Sequence, residues 1–218
     1  LAMTISLNAL EHLGINLYSN VPAVLSEIVA NAWDADAHNV TITLDKANET
    51  ITIEDDGSGM DRDGVIDQFL TVGFRRRDVL GETTPEGRKP MGRKGIGKLS
   101  IFSIAQIAEV YTVHGKERTA FRMDREVIRK AIAGKAQTNY KPEELATGPK
   151  LAKGTRIVLS GLSKSLGGMT IEGLRRRIAR RFSVIGPKFK FAATVNGTSI
   201  GPEDRAYHQS VEYLWTYG

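Results

Sequence analysis

The chain has 218 residues, of which 25% are charged and 41% hydrophobic, and its formal net charge is +5 at pH 7. This composition is typical of a globular domain with a sizeable core, and the absence of cysteine excludes disulfide scaffolds, thiolate metal sites and cysteine nucleophiles. No apolar run approaches the ~20 residues of a membrane span, and the first residues do not resemble a signal peptide. We therefore expect a cytoplasmic protein whose natural start is Met3.

The first half of the chain predicts helices and one hairpin. An amphipathic segment over 4–15 predicts a short helix, and a longer helix is expected over 22–37, with a proline in its first turn. Alternating apolar residues predict strands at 40–44 and 50–54, joined as a hairpin. Another short helix is predicted over 61–70, with an aspartate at its N-cap.

A long irregular segment then separates the two halves. Residues 71–97 are rich in glycine, proline and arginine, and a loop of this length in a compact domain usually serves as a lid or binding loop. Beyond it we predict a helix over 98–106, an exposed connection over 133–153 and a basic helix over 171–182. The predicted strands of this half are 107–114, 118–123, 154–159 and 189–195, the last followed by an Asn-Gly hairpin turn.

A polar stripe marks the helix predicted over 22–37. Glu27, Asn31 and Asp34 are spaced four and three residues apart, so they share one helix face. A carboxylate here can accept a proton from water, and an amide oxygen can bind a hard cation such as Mg²⁺. A solvated helix face with a buried amide explains the same pattern.

Two glycine-rich motifs follow. Asp55-x-Gly57-x-Gly59 ends a strand, where a carboxylate can accept a hydrogen bond from the adenine amine and glycines let a flat ring approach the backbone. A plain tight turn is the alternative. The segment from Gly92 to Lys98 has the pattern G-x-x-G-x-G-K before a predicted helix, where free N–H groups can bind phosphate. It is neither a P-loop nor a dinucleotide fingerprint.

Together, the order of these motifs resembles the GHKL ATPase superfamily. That order is a helix with E-x-x-x-N-x-x-D-A, a strand with D-x-G-x-G-M, a lid, a G-x-x-G-x-G helix and a strand that begins Gly-Thr. The superfamily includes gyrase-type topoisomerases, MutL, histidine kinases, the ninety-kilodalton heat-shock chaperones and MORC proteins. The resemblance covers roughly residues 15–160 and is closest to prokaryotic MORC-like or chaperone-like ATPases.

The resemblance implies roles for the helix residues. Glu27 matches the general base that polarises the attacking water, and Asn31 matches the asparagine that coordinates Mg²⁺ and contacts ATP. Asp34 matches a supporting residue of the ATP site. Ala35 matches the residue that lines the adenine side.

It also implies roles for the strand motif. Asp55 matches the aspartate that binds the adenine amine, Gly57 and Gly59 allow the base to approach, and Met60 covers it. Thr155 matches the threonine that joins Asp55 in a hydrogen-bond and water network.

The lid motif completes the implied ATP site. Gly92, Gly95 and Gly97 match the glycines of the phosphate lid. Ile96 lies between the last two of them, and Lys98 either contacts phosphate or ends the lid.

The implied fold class is α/β, an α+β sandwich of the Bergerat type with helices on one face of a mixed, mainly antiparallel sheet. We expect residues 1–160 to form the ATP-binding domain and 161–218 a C-terminal extension with the basic helix and a hairpin, or the start of a following domain.

The implied function is Mg²⁺-dependent ATP binding and slow hydrolysis, driving a conformational or dimerisation switch in the N-terminal module of a larger protein. A homodimer formed with ATP and a DNA or protein client are the implied partners. One alternative is a non-hydrolysing, ATP-bound module that binds DNA or a protein through the basic helix. A protein kinase of the histidine kinase type is a third reading, which Glu27 and the short segment before it disfavour.

Overall fold

The computed structural model describes residues 20–70, 81–92, 97–133, 140–146 and 148–205. The helix predicted over 4–15 and the part of the predicted lid over 71–80 and 93–96 lie outside the described residues.

The described strands form one mixed sheet. Their bounds are β1 Asn39–Asp45, β2 Thr50–Asp55, β3 Ala105–His114, β4 Glu117–Asp124, β5 Glu143–Glu144, β6 Gly154–Leu162, β7 Ala192–Val195 and β8 Thr198–Ser199. The strand order is β5-β4-β3-β6-β2-β1-β7-β8. Strands β1 and β7 run parallel, and the other paired strands run antiparallel.

Four α-helical segments accompany the sheet in the described part of the chain. They are α1 Val21–Asp34, α2 Arg62–Gly64, α3 Arg125–Ala133 and α4 Ile171–Arg181. A π-helix at Val65–Leu70 continues α2, and 3-10 helices lie at Gly97–Ser103, Pro187–Phe189 and Pro202–Asp204. None of the described helices is long and apolar enough to cross a membrane. The cytoplasmic location stays a prediction.

One face of the sheet carries the core. Paired residues on six neighbouring strands form a continuous buried row of Val195, Ile42, Ile53, Ile157, Val110 and Phe121. The apolar residues of α1 and α4 belong to the same buried cluster, so these helices cover this face. On the other face, Thr41, Glu54 and Arg156 lie side by side; Thr41 is exposed, and the other two are partly exposed. The predicted α/β fold is confirmed.

Two predicted helices differ from the structure, and a further helix was not expected. Helix α1 ends at Asp34 rather than residue 37, because Asp36 adopts a left-handed conformation with φ of 57°. The helix predicted over 98–106 is a 3-10 helix that ends at Ser103, and Ala105 already pairs with β6. Its run of buried apolar residues fits a buried strand as well as a helix. Helix α3 was not predicted at all.

The segments after residue 125 also hold more structure than the sequence indicated. The predicted exposed connection over 133–153 contains strand β5 and the buried residues Tyr140, Pro142 and Leu151. Helix α4 is confirmed over most of its predicted length, whereas the strand predicted over 189–195 begins only at Ala192. Because β7 pairs with β1, residues beyond 160 contribute to the same sheet.

Candidate functional site

Helix α1 presents the polar stripe. The side chain of Asn20 accepts a hydrogen bond from Ala23 N at 3.0 Å and caps the helix, and Pro22 occupies its first turn. The helix buries its apolar face in the core, which leaves Glu27 partly exposed and Asn31 exposed. These two side chains lie one turn apart on the same face.

Asp34 joins the end of α1 to the lid segment. Its side chain is 3% exposed, and its two oxygens accept hydrogen bonds from Met91 N at 2.7 Å and Gly92 N at 2.9 Å. A Cβ at position 92 would lie 2.9 Å from Asp34 Oδ2. The contact therefore favours glycine at this position. The two hydrogen bonds hold Gly92, the first glycine of the predicted phosphate-lid motif, against the end of α1.

Asp55 is a buried carboxylate at the end of β2. Its Oδ1 accepts a hydrogen bond from Gly57 N at 2.9 Å. Burial raises the pKa of Asp55 to about 6, and the charges of Asp56 and Glu54 act in the same direction. Hydrogen bonds from the backbone of Gly57 and Thr155 oppose this rise. A buried carboxylate with such a pKa is typical of a binding or catalytic site.

The glycines after Asp55 permit close contact between chain segments. Ser58 N donates to Ala35 O at 2.8 Å, and a Cβ at position 57 would lie 2.7 Å from the same oxygen. Gly59 has a φ of +63°, and a Cβ there would overlap the carbonyl oxygen of Val113. Gly57 thus lets the turn after Asp55 approach the end of α1, and Gly59 lets it approach β3.

A threonine that the sequence did not single out connects this turn to the neighbouring strands. Thr112 is 1% exposed, and its Oγ1 accepts a hydrogen bond from Met60 N at 2.8 Å. The same oxygen lies 3.3 Å from Gly154 O and 3.3 Å from Thr155 Oγ1. Thr155 pairs with Asp55 across β2 and β6. The signal in the sequence was a polar residue, Thr112, at a buried position of a strand whose other buried residues are apolar.

Residues 81–92 are the part of the predicted 71–97 lid that lies just before the phosphate-lid glycines and includes the first of them. We call them the strap, and they are bound to the end of α1. Arg88 is 8% exposed, and its Nη1 donates to Ala37 O at 2.7 Å. Its guanidinium lies 4.4 Å from the centre of the Trp33 ring, and Trp33 Nε1 donates to Lys89 O at 3.1 Å. Sequence reasoning missed this anchor because the residues that each hydrogen bond joins are 51 and 56 positions apart in the chain.

Glu27 has a partner that the sequence did not predict. Its Oε1 lies 2.6 Å from Nη2 of Arg181, the last residue of α4. The two side chains are 23% and 46% exposed, respectively. The polar stripe of α1 is thus in contact with the C-terminal helix.

The remaining predicted residues are placed only in part. Gly97 and Lys98 begin the 3-10 helix, whereas Gly95 and Ile96 lie outside the described residues. The described side chains contain no group of three His, Asp or Glu residues suited to a metal ion.

The placed residues bring two of the predicted features to one end of α1. Asp55 offers a buried carboxylate whose following turn contacts Ala35 O through Ser58 N, and Asp34 binds Gly92 N at the same helix end. Residues 18–155 match the model of the histidine kinase-, DNA gyrase B- and HSP90-like ATPase family. The chain belongs to this family of GHKL ATPases.

The similar proteins are named as a restriction enzyme and as chaperones. The chain is 37% identical over 217 residues to the candidate type II restriction enzyme HgiDII of Herpetosiphon aurantiacus, covering 99% of the chain and 35% of that protein. It is 32% identical to the chaperone protein HtpG of Shewanella amazonensis, covering 68% of the chain and 25% of HtpG. With HtpG of Rhizobium meliloti the identity is 28% over 168 residues, or 66% of the chain and 25% of that protein. The chain thus spans about a third or less of these relatives. Its likeness to MORC-like proteins stays a prediction.

Proposed function

We propose that the chain binds ATP with Mg²⁺ and hydrolyses it slowly, as the switching module of a larger protein. The buried carboxylate of Asp55 beside its glycine turn is the observation that supports this most strongly. The family supports ATP binding in general, whereas the roles of individual residues below are our proposal.

The adenine end of the site is assigned to the β2 turn. Asp55 accepts a hydrogen bond from the adenine amine, and Thr155 completes the network from the neighbouring strand. Burial supports this role, because a desolvated carboxylate gains most from a new hydrogen-bond donor. Ala35, Gly59 and Met60 line the ring.

The phosphate end is assigned to the stripe and the lid. Asn31 offers its side-chain oxygen to Mg²⁺, which when bound neutralises phosphate charge. Gly92, whose backbone is held by Asp34, positions the start of the lid, and the lid continues through Gly97.

Hydrolysis is assigned to Glu27. Its carboxylate accepts a proton from a water molecule while the water oxygen bonds to the γ-phosphorus and the bond to the β-phosphate oxygen breaks. Glu27 and Asn31 lie one helical turn apart, which brings base and cation ligand to the same end of the nucleotide.

The binding part of the proposal is tested by calorimetry with ATP and Mg²⁺. The wild type should bind, and Asp55→Asn should lose most of its affinity because the amide presents a donor to the adenine amine. Asp45→Asn, at an exposed hairpin turn, is the matched control and should bind normally. Equal heats for the wild type and Asp55→Asn would reject the adenine site.

The catalytic part is tested by turnover. Glu27→Gln should bind ATP but lose phosphate release. Undiminished turnover would show that Glu27 is not the base. Radiolabelled protein after incubation with γ-labelled ATP would instead support the kinase alternative.

The switch is tested by the molar mass in solution. Light scattering should show a monomer without nucleotide and a dimer with a non-hydrolysable ATP analogue. An unchanged mass would reject nucleotide-driven dimerisation.

DNA is the second candidate partner, and the likeness to a candidate restriction enzyme over 99% of the chain favours it. Helix α4 exposes Arg176 and Arg180, which are four residues apart and suited to phosphate contacts. Charge reversal at both positions should abolish a gel shift with duplex DNA and leave ATP binding intact. A wild type that gives no shift, with or without ATP, would reject this partner.

A further inference from the structure

An arginine from the C-terminal helix contacts the proposed catalytic base. Arg181 Nη2 lies 2.6 Å from Glu27 Oε1, with 154 residues between them in the sequence. We propose that Arg181 is a positioning residue, which holds the Glu27 carboxylate for attack by water on ATP. This inference rests on the proposed function. The family match ends at residue 155, so Arg181 lies beyond it.

The position of Arg181 is fixed by its helix. Helix α4 buries Leu174, Ile178 and Ala179 in the same core as α1. The ion pair therefore joins two packed helices, whose backbones hold the two side chains at a constant separation. A pair on the surface of one helix has no such constraint.

The chain just after Arg181 is also fixed. Arg205 Nη2 donates to the carbonyl oxygens of Phe182, Ser183 and Ile185 at 3.1, 3.2 and 3.0 Å. These bonds hold the turn after α4 against the segment that follows strand β8. The end of α4, and with it the guanidinium of Arg181, is thus held from both sides.

Glu27 needs such a contact. Its side chain has three rotatable bonds and is 23% exposed, so without a partner it would occupy several rotamers. A carboxylate provides about four acceptor sites, and the N–H donor from Arg181 occupies one of them. The charge-assisted contact favours one orientation of the base.

The other arginines of α4 do not make this contact. Arg175 binds Asp204 at 2.8 Å, and Arg176 pairs with Glu172 on its own helix. Arg177 is exposed and lies one turn before Arg181. It provides a matched control, because its replacement removes the same charge from the same helix and leaves Glu27 untouched.

The experiment measures kcat and KM for ATP hydrolysis by the 218-residue chain, without nucleic acid. Arg181→Gln should lower kcat by between about tenfold and a hundredfold, the scale expected when a catalytic group loses its alignment, with KM and the ATP dissociation constant unchanged. Arg181→Lys should recover part of the loss, because lysine keeps the charge but not the planar donor geometry. Arg177→Gln should match the wild type, and the melting temperatures of all variants report folding.

The outcomes separate the inference from the function on which it rests. If Glu27→Gln abolishes turnover but Arg181→Gln leaves kcat unchanged or raises it, Arg181 does not position the base. Equal losses of kcat in Arg181→Gln and Arg177→Gln would also overturn the proposal, since the effect would then come from the charge of the helix. A wild type without measurable turnover would overturn the hydrolytic function itself.

Discussion

Replacing Asp55 with asparagine should stabilise the nucleotide-free protein at neutral and alkaline pH. Burial raises the pKa of this carboxyl from 3.8 to about 6. Each pKa unit corresponds to about 1.4 kcal/mol, so keeping the ionised carboxylate in the fold costs about 3 kcal/mol. Asparagine has nearly the same shape and carries no charge, and its oxygen keeps the bond from Gly57 N, one of the two backbone bonds that Asp55 accepts from Gly57 and Thr155.

The effect has a defined pH dependence. Between pH 3.8 and about 6 the folded state binds more protons at Asp55 than the unfolded state does, so the stability of the wild type falls as the pH rises through this window. Above it the penalty is complete and constant. The advantage of Asp55→Asn should therefore be near zero at pH 4 and reach about 3 kcal/mol at pH 8.

Urea unfolding at pH 4, 5, 6 and 8, followed by the fluorescence of the native tryptophans, measures this difference. At pH 8 the variant should also melt roughly 6–12 °C higher, given ~2–4 °C per kcal/mol for a domain of this size. A difference in stability that does not change with pH, or a variant less stable than the wild type at pH 8, would refute the reasoning. The same substitution should weaken ATP binding, so stability and function change in opposite directions.

Three further predictions concern the glycine turn, the strap and the lid. Gly59→Ala should cost at least about 2 kcal/mol of unfolding free energy because its Cβ overlaps a carbonyl oxygen, whereas Gly87→Ala, also at positive φ but in open space, should cost about 1 kcal/mol. Arg88→Met should lose about 3 kcal/mol in urea unfolding, since a buried cation–π contact and a charge-assisted hydrogen bond disappear; a loss below 1 kcal/mol would contradict its anchoring role. Asp34→Ala should speed amide hydrogen exchange at Gly92 at least about tenfold, given ~1.5–3 kcal/mol for a hydrogen bond to a charged group, and unchanged exchange would show that this carboxylate does not hold the lid.

Local patterns predicted the parts of the molecule that depend on neighbouring residues. The alternation in β1 and β2 gave the hairpin, because strands joined by a short turn need no information from elsewhere in the chain. The glycine turn after Asp55 was predicted for a similar reason, since a positive φ such as that of Gly59 favours glycine.

Distant contacts could not be predicted in this way. The sequence shows that Arg181 and Arg88 are cations, but only the packing of α4 and the strap against α1 decides that one meets Glu27 and the other Trp33. The segment from Ile101 to Ala105 was assigned to a helix because a short apolar run does not distinguish a buried helix from a buried strand.

The most direct test of the account is a crystal structure of the chain with Mg²⁺ and a non-hydrolysable ATP analogue. We expect the adenine amine within hydrogen-bond distance of the Asp55 carboxylate and Mg²⁺ coordinated by the Asn31 side-chain oxygen. A nucleotide bound elsewhere, or one whose adenine and phosphates do not reach these two side chains together, would contradict it.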